Sequence, residues 1–225
     1  MNPLLLPAVE YETGPHPHHT IIWMHGLGAD GHDFVPVMHQ LQLPPSMPVR
    51  FVFPHAPSRP VSTNHGFVMP AWYDITSPDL HSREDAAGIH QSRQHIDALI
   101  EREKVRGIAA SHIILAGFSQ GGVMALHTGL RYPEKLAGIL ALSCYLPLSD
   151  TLDTEKSPAN LATPVFMAHG ISDPVIPLRV ASTARQTLLD LQYPVEWHEY
   201  TMAHSVCMQE ISDIGHWLQR ILSQK

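Results

Sequence analysis

The chain has 225 residues, 44% hydrophobic and 16% charged, which excludes a disordered or coiled-coil chain. Its 14 Lys and Arg against 21 Asp and Glu leave a formal net charge of −7, which argues against a phosphate-seeking nucleic-acid binder. No apolar run approaches the ~18 residues of a membrane-spanning helix. The opening Met-Asn-Pro-Leu-Leu-Leu-Pro lacks the positive region and apolar length of a signal peptide. Two cysteines, Cys144 and Cys207, supply neither a disulfide framework nor a zinc-ribbon spacing. The expectation is one domain over residues 1–225, cytoplasmic, with free thiols.

In chain order, apolar runs at Thr20–Met24, Val49–Phe53, Ile113–Ala116, Leu136–Leu142, Val165–Ala168 and Val195–Tyr200 read as strands. Several are almost wholly apolar, as strands covered on both faces are. Between them lie longer amphipathic stretches: Glu84 to Lys104, the segment after Ser119, Leu178 to Leu191, and Ser205 to Leu222. The last carries Cys207, Ile211, Ile214, Leu218 and Ile221 at steps of four and three, with Ser205 as N-cap. This alternation predicts an α/β fold with a mostly parallel central sheet and helices on both faces. Pro54 to Pro78, with many Pro, Ser and Asn residues, reads as a long functional loop with room for one hairpin. Asp150 to Ala162 is a polar connection too short for a large lid domain.

The informative stretch is Gly117-Phe118-Ser119-Gln120-Gly121, a Gly-x-Ser-x-Gly pattern with a buried strand before it and an amphipathic segment after. That is the strand–turn–helix setting of a nucleophile elbow. A serine on so sharp a turn needs small neighbours, and Gly117 and Gly121 supply them. A serine hydroxyl needs a base, and the base an orienting acid. In this fold they follow in the order Ser, Asp or Glu, His, each after a strand. Asp173 follows Val165–Ala168, and His204 follows Val195–Tyr200, so Ser119, Asp173 and His204 are the expected triad. Asp150 and Asp153 are rival acids. His198 and His216, inside a strand and a helix, suit packing or solvated roles better. The expected oxyanion donors are the N–H of Gln120 and that of Leu27, in the glycine-rich His25-Gly26-Leu27-Gly28-Ala29-Asp30-Gly31.

Four blocks carry a resemblance: His-Gly-Leu-Gly-Ala-Asp-Gly at 25–31, Ala-Trp-Tyr-Asp at 71–74, Gly-Phe-Ser-Gln-Gly-Gly at 117–122 and Ala-His-Ser at 203–205. Ser-Asp-Pro-Val-Ile-Pro at 172–177 adds a fifth. The chain resembles the bacterial carboxylesterase branch of the phospholipase/carboxylesterase family, which also contains the acyl-protein thioesterases. The resemblance implies an α/β-hydrolase fold and a serine esterase needing no metal or cofactor. It also implies a shallow site without a lid, and a homodimer. Thr-Met-Ala-His-Ser stands at 201–205 where the thioesterases resemble Gly-Met-Gly-His-Ser, a departure that favours the carboxylesterase branch.

Trp72, Tyr73 and Met69 are candidates for the wall of an acyl pocket, as is Leu27; core packing is the competing role for the two aromatics. His16, His18 and His19 lack acidic or Cys partners at ligand spacing and read as solvated loop residues. The expected activity is hydrolysis of short- to medium-chain carboxylic esters, with a small-molecule or lipid ester as substrate. A lysophospholipase or acyl-protein thioesterase would use the same triad. A non-catalytic binding protein, a peptidase and a metal hydrolase are the rivals of other kinds.

Overall fold

In the computed structural model, which describes residues 4–77 and 84–223, the order of elements is β1 (Ala8–Glu12), β2 (His19–Met24), α1 (Val35–Gln40), β3 (Val49–Pro54), β4 (Ser58–Val61) and β5 (Phe67–Pro70). Then follow α2 (Ala86–Val105), β6 (Ile113–Phe118), α3 (Gln120–Arg131), β7 (Gly138–Leu142), α4 (Ser149–Glu155), β8 (Val165–Gly170), α5 (Leu178–Asp190), β9 (Val195–Tyr200) and α6 (Met208–Leu222). Seven strands form one sheet in the order β1-β3-β2-β6-β7-β8-β9. Only β1 runs antiparallel, against β3. This is the α/β-hydrolase fold, with a mostly parallel sheet, helices on both faces and no large lid.

The alternation of side chains along each central strand explains the all-apolar runs. Ile22 and Met24, Leu115, Ile139 and Ala141, and Val165 and Met167 point into one core, shared with α2, α3, α4 and α5. Ile21 and Trp23, Ile114 and Ala116, Leu140 and Leu142, and Phe166 and Ala168 point into the other, against α1 and α6. Each large apolar side chain so buried contributes about 1.5–3 kcal/mol. A slip of one residue in any of these strands exchanges the two cores, so the register is set from both sides. The amino ends of β2 and β3 are tied to α2 by the buried Glu103 carboxylate, which accepts from Thr20 Oγ1 (3.0 Å), Arg50 Nη1 (2.9 Å) and Arg106 Nη1 (2.9 Å). Burial alone would raise that carboxyl's pKa, but the bonds from Arg50, Arg106 and Thr20 outweigh it and hold it below its usual range.

Several expected boundaries move. The helix after Val195–Tyr200 starts at Met208, and its N-cap is Cys207, not Ser205. Glu210 closes a capping box there, its Oε2 accepting from Cys207 N–H at 3.4 Å, while burial pushes its carboxyl pKa up to about 8. Residues 201–206 stay outside the helix as the loop that carries His204. The long segment from Pro54 holds the β4–β5 hairpin, paired from Ser58↔Pro70 to Val61↔Phe67; its last residue, Pro78, lies outside the described residues. The polar connection at 150–162 contains most of α4. Strand β1 and helix α1 have no counterpart in the sequence reading. Cys144 and Cys207 are free thiols, the first buried and the second half-buried. No helix among the described residues is long and apolar enough to cross a membrane.

His127 on α3 is wholly buried, and neither ring nitrogen has a hydrogen-bond partner among the described residues. Burial, with Arg131, His90 and Arg93 nearby, lowers its pKa to about 2. The folded chain therefore refuses a proton that the unfolded chain accepts near ~6.5. Stability is undiminished by this group above that value and falls as the pH drops below it. His127→Leu should remove the effect. In urea titrations at pH 7 and pH 5, the wild-type chain should lose about 2 kcal/mol more than the variant. Equal losses would show that His127 is not held neutral.

Candidate active site

Strand β6 ends at Phe118, and Ser119 turns the chain into α3 with φ 55° and ψ −121°. Such a conformation costs a non-glycine residue about 1–3 kcal/mol and persists only where neighbours impose it. Here Ser119 N–H donates to Leu142 O at the end of β7 (2.8 Å), and Ser119 O accepts from Val123 N–H in α3 (3.0 Å). The flanking glycines are required by contact. A Cβ on Gly117 would lie 2.2 Å from the Gly121 carbonyl, and one on Gly121 would lie 2.1 Å from Met24 O. The elbow is thus pressed between β2 and the first turn of its own helix.

Ser119 Oγ lies 2.9 Å from His204 Nε2, and His204 Nδ1 lies 2.7 Å from Asp173 Oδ2. The three residues form one continuous hydrogen-bonded chain from three loops at the carboxyl ends of β6, β8 and β9. The Asp173 side chain is wholly shielded from solvent. Its other oxygen accepts from Val175 N–H (2.8 Å) and Ile176 N–H (2.9 Å), which fixes the carboxylate's orientation. His169 Nε2 donates to Ile176 O (2.7 Å) and lies 3.4 Å from Asp173 Oδ2. Burial lowers the His169 pKa, so this ring braces the acid turn as a neutral group. The Phe118 ring packs on the His204 imidazole at 4.8 Å between centroids. The rival groups lie elsewhere: Asp150 and Asp153 are exposed on α4, the second paired with Lys156. His198 stacks on Phe166 within β9, and His216 is exposed on α6.

The N–H of Leu27 has no hydrogen-bond acceptor among the described residues. The N–H of Gln120, at the first position of α3, has no intrahelical acceptor by helix geometry. Both residues line a cavity of about 340 Å³ together with Ser119 and His204. The Gln120 side chain does a second job. Its Oε1 accepts from Trp72 N–H (2.8 Å) and its Nε2 donates to Tyr73 O (2.7 Å), clasping the 71–74 segment to the elbow. Trp72 Nε1 donates in turn to His25 O (2.9 Å). His25 Nε2 accepts from Ala56 N–H (3.1 Å) while its Nδ1 donates to Gly26 O (2.7 Å), and burial lowers its pKa, consistent with a neutral ring.

The family model for phospholipases and carboxylesterases matches residues 6–222. The chain belongs to the phospholipase/carboxylesterase family. As a member it is a hydrolase acting on esters. It is 41% identical to an acyl-protein thioesterase 1 of Neurospora crassa over 96% of this chain and 90% of that one. It is 38% identical to an acyl-protein thioesterase 1 of Gibberella zeae, over 99% and 97%. Among solved structures, Arabidopsis thaliana SOBER1 superposes with a TM-score of 0.86 at 28% identity, covering 91% of this chain and 99% of that one. The bacterial placing finds no support in these fungal relatives. Ala203, the departure from the thioesterase pattern, is exposed and does not line the cavity.

Of the expected pocket residues, Leu27 and Tyr73 stand in the wall of this cavity. Trp72 is 0% exposed and belongs to the core beneath. Met69 is half-buried beside Gly28, with its Sδ 3.6 Å from where a Cβ would stand, outside the cavity. The sequence reading missed Tyr145, whose hydroxyl is 2.9 Å from that of Tyr73, and also Ile75, Val175 and Ile176, which line the cavity. Tyr145 follows β7 at a strand's carboxyl end, which is the signal that would have found it. The His16–His19 segment lies at the opposite end of the sheet beside a separate cleft of about 980 Å³. His16 and His18 are exposed there, whereas His19 opens β2 and stacks on His112 at 4.9 Å.

Replacing Gln120 by Leu strands the buried Trp72 N–H and Tyr73 carbonyl, so Gln120→Leu should lose about 2–4 kcal/mol in urea unfolding. Gln120→Glu keeps the acceptor but sets a carboxylate oxygen against the Tyr73 carbonyl, and should destabilise at least as much. A change below about 0.5 kcal/mol in both would mean that the clasp is not structural.

Proposed function

We propose that the chain hydrolyses short- to medium-chain carboxylic esters through an acyl-enzyme on Ser119. The observation that carries this reading is the hydrogen-bonded chain from Ser119 Oγ through His204 to the buried Asp173 carboxylate. In the first step His204 Nε2 takes the Ser119 proton as Oγ attacks the ester carbonyl. Asp173 holds the Nδ1–H tautomer and stabilises the imidazolium that forms. The carbonyl oxygen, now an oxyanion, accepts from the N–H groups of Leu27 and Gln120. The tetrahedral intermediate collapses and the alcohol leaves with the proton from His204. Water then attacks the acyl-enzyme, giving its proton to His204, and the carboxylic acid departs as Ser119 regains its own. The cavity of about 340 Å³ is at the small end for ligand sites, which favours short and medium acyl groups.

A second reading, an acyl-protein thioesterase on the same three residues, is favoured by the identity to the fungal thioesterases. The two differ in the leaving group and in the acyl length that the cavity must take. The remaining expectations, a homodimer and a cytoplasmic location, belong to this proposal as well.

Initial rates on p-nitrophenyl esters from acetate to palmitate, beside a palmitoyl thioester, separate these readings. The ester reading predicts a maximum at short or medium chains and weak thioester turnover; a palmitoyl thioester turned over faster than any ester would replace it with the second reading. Ser119→Ala should lower kcat by about 10⁴-fold or more. Equal slow rates for wild type and Ser119→Ala on every substrate would overturn both.

A further inference from the structure

Asp30, His32 and His55 bring one carboxylate and two imidazoles together, with their ligand atoms all within 4.8 Å of one another. Asp30 and His32 lie in the loop between β2 and α1, and His55 follows β3. Ala29 and Asp33, on either side of the first pair, line the cavity beside Ser119. Asp30 is held as an anion by the backbone N–H of His32 (2.7 Å), and His32 Nδ1 lies 3.1 Å from the same oxygen. Two donors on one tetrahedral zinc ion lie ~3.4 Å apart, so the cluster needs a contraction of little more than an ångström. His32 and Asp30 are exposed and free to make it.

Two imidazoles and a carboxylate are a donor set for a borderline divalent cation, whereas magnesium and calcium favour oxygen alone. The fourth position would be open to water. We propose that Asp30, His32 and His55 bind such an ion, Zn²⁺ being the reference case, and that its binding lowers ester hydrolysis.

The second half follows from proton accounting at His55. Gly31 N–H donates to His55 Nδ1 (3.2 Å), so the neutral ring carries its proton on Nε2. An ion on Nδ1 takes the lone pair that Gly31 uses. An ion on Nε2 drives that proton to Nδ1 and sets two N–H donors face to face. Either way the bond from Gly31 is lost. Gly31 is also packed so closely that a Cβ there would lie 2.4 Å from Phe53 O. It closes the loop that begins at His25 and presents Leu27 N–H, so an ion at His55 loosens the segment next to Ser119. This inhibitory half rests on the proposed role of Leu27, and the binding half does not.

The test uses Zn²⁺ alone, titrated calorimetrically into chelator-stripped full-length protein, with His32→Ala and Asp30→Asn alongside. Both side chains are exposed, and circular dichroism verifies that both variants fold. The histidines at 16, 18, 19 and 112 are a background that the variants leave intact. The expected result is one ion per wild-type chain, bound at least about tenfold more weakly by each variant. Hydrolysis of p-nitrophenyl butyrate by the wild type should fall as the site fills and recover with EDTA, while His32→Ala keeps its rate at the same Zn²⁺ concentration. Unchanged affinity in both variants would overturn the site. Equal inhibition of wild type and His32→Ala would overturn the coupling and place the inhibiting ion elsewhere, with the calorimetry still deciding the site. The calorimetric result stands whether or not the chain proves to be a serine esterase.

Discussion

Ser119 stays at φ 55° because the elements around it leave nowhere else to go. Its N–H is taken by Leu142 at the end of β7, its carbonyl by Val123 in α3, and the two glycines beside it touch Met24 and one another's turn. Three parallel strands and one helix therefore meet at a single peptide. The register among β2, β6 and β7 is what delivers those partners, with Met24 opposite Gly117 and Gly117 opposite Ala141. The two-sided core in turn enforces that register. The strain at one residue is thus held by the burial of many.

From this point the other site residues are arranged by strand ends. A parallel sheet puts all its carboxyl ends on one edge, so the loops after β2, β6, β8 and β9 converge without any long-range design beyond strand order. What the sheet does not supply, buried polar contacts do. Gln120 grips the 71–74 segment, Trp72 reaches His25, and His25 holds Ala56. His55, next along, meets Gly31 and closes the circuit back to the loop that presents Leu27. The amino ends of the strands have a different character. There the buried Glu103 with its arginines ties α2 to the sheet, away from the proposed chemistry.

The central strands were legible because each is buried on both faces, and an uninterrupted apolar run states that directly. Strand β1 was not: Ala-Val-Glu-Tyr-Glu is a half-exposed edge whose pattern resembles any polar segment. Helix α1 has six residues with a proline in its first turn, too short for a period to show. The Gly-x-Ser-x-Gly block and the two loops after β8 and β9 could be picked out because chemistry, spacing and strand ends agree on the same residues. Side-chain direction in the long loop could not. An aromatic pair such as Trp72-Tyr73 reads the same whether it faces cavity or core, and here one faces each. Ser205 looked like a helix cap since a serine precedes an apolar stripe, but the His204 loop needed those residues and the cap moved to Cys207. Tyr145 carries no motif at all, and only the assembled sheet brings it beside Tyr73.

The central claim is that Ser119 is a nucleophile activated by His204, and a covalent probe addresses it without any choice of substrate. A fluorophosphonate reacts with an activated serine through the same geometry that ester attack requires. Peptide mass spectrometry after labelling should find the adduct on Ser119 alone, with His204→Asn labelled far more slowly. An unlabelled chain, or label distributed over other serines at equal rates in both proteins, would contradict the account.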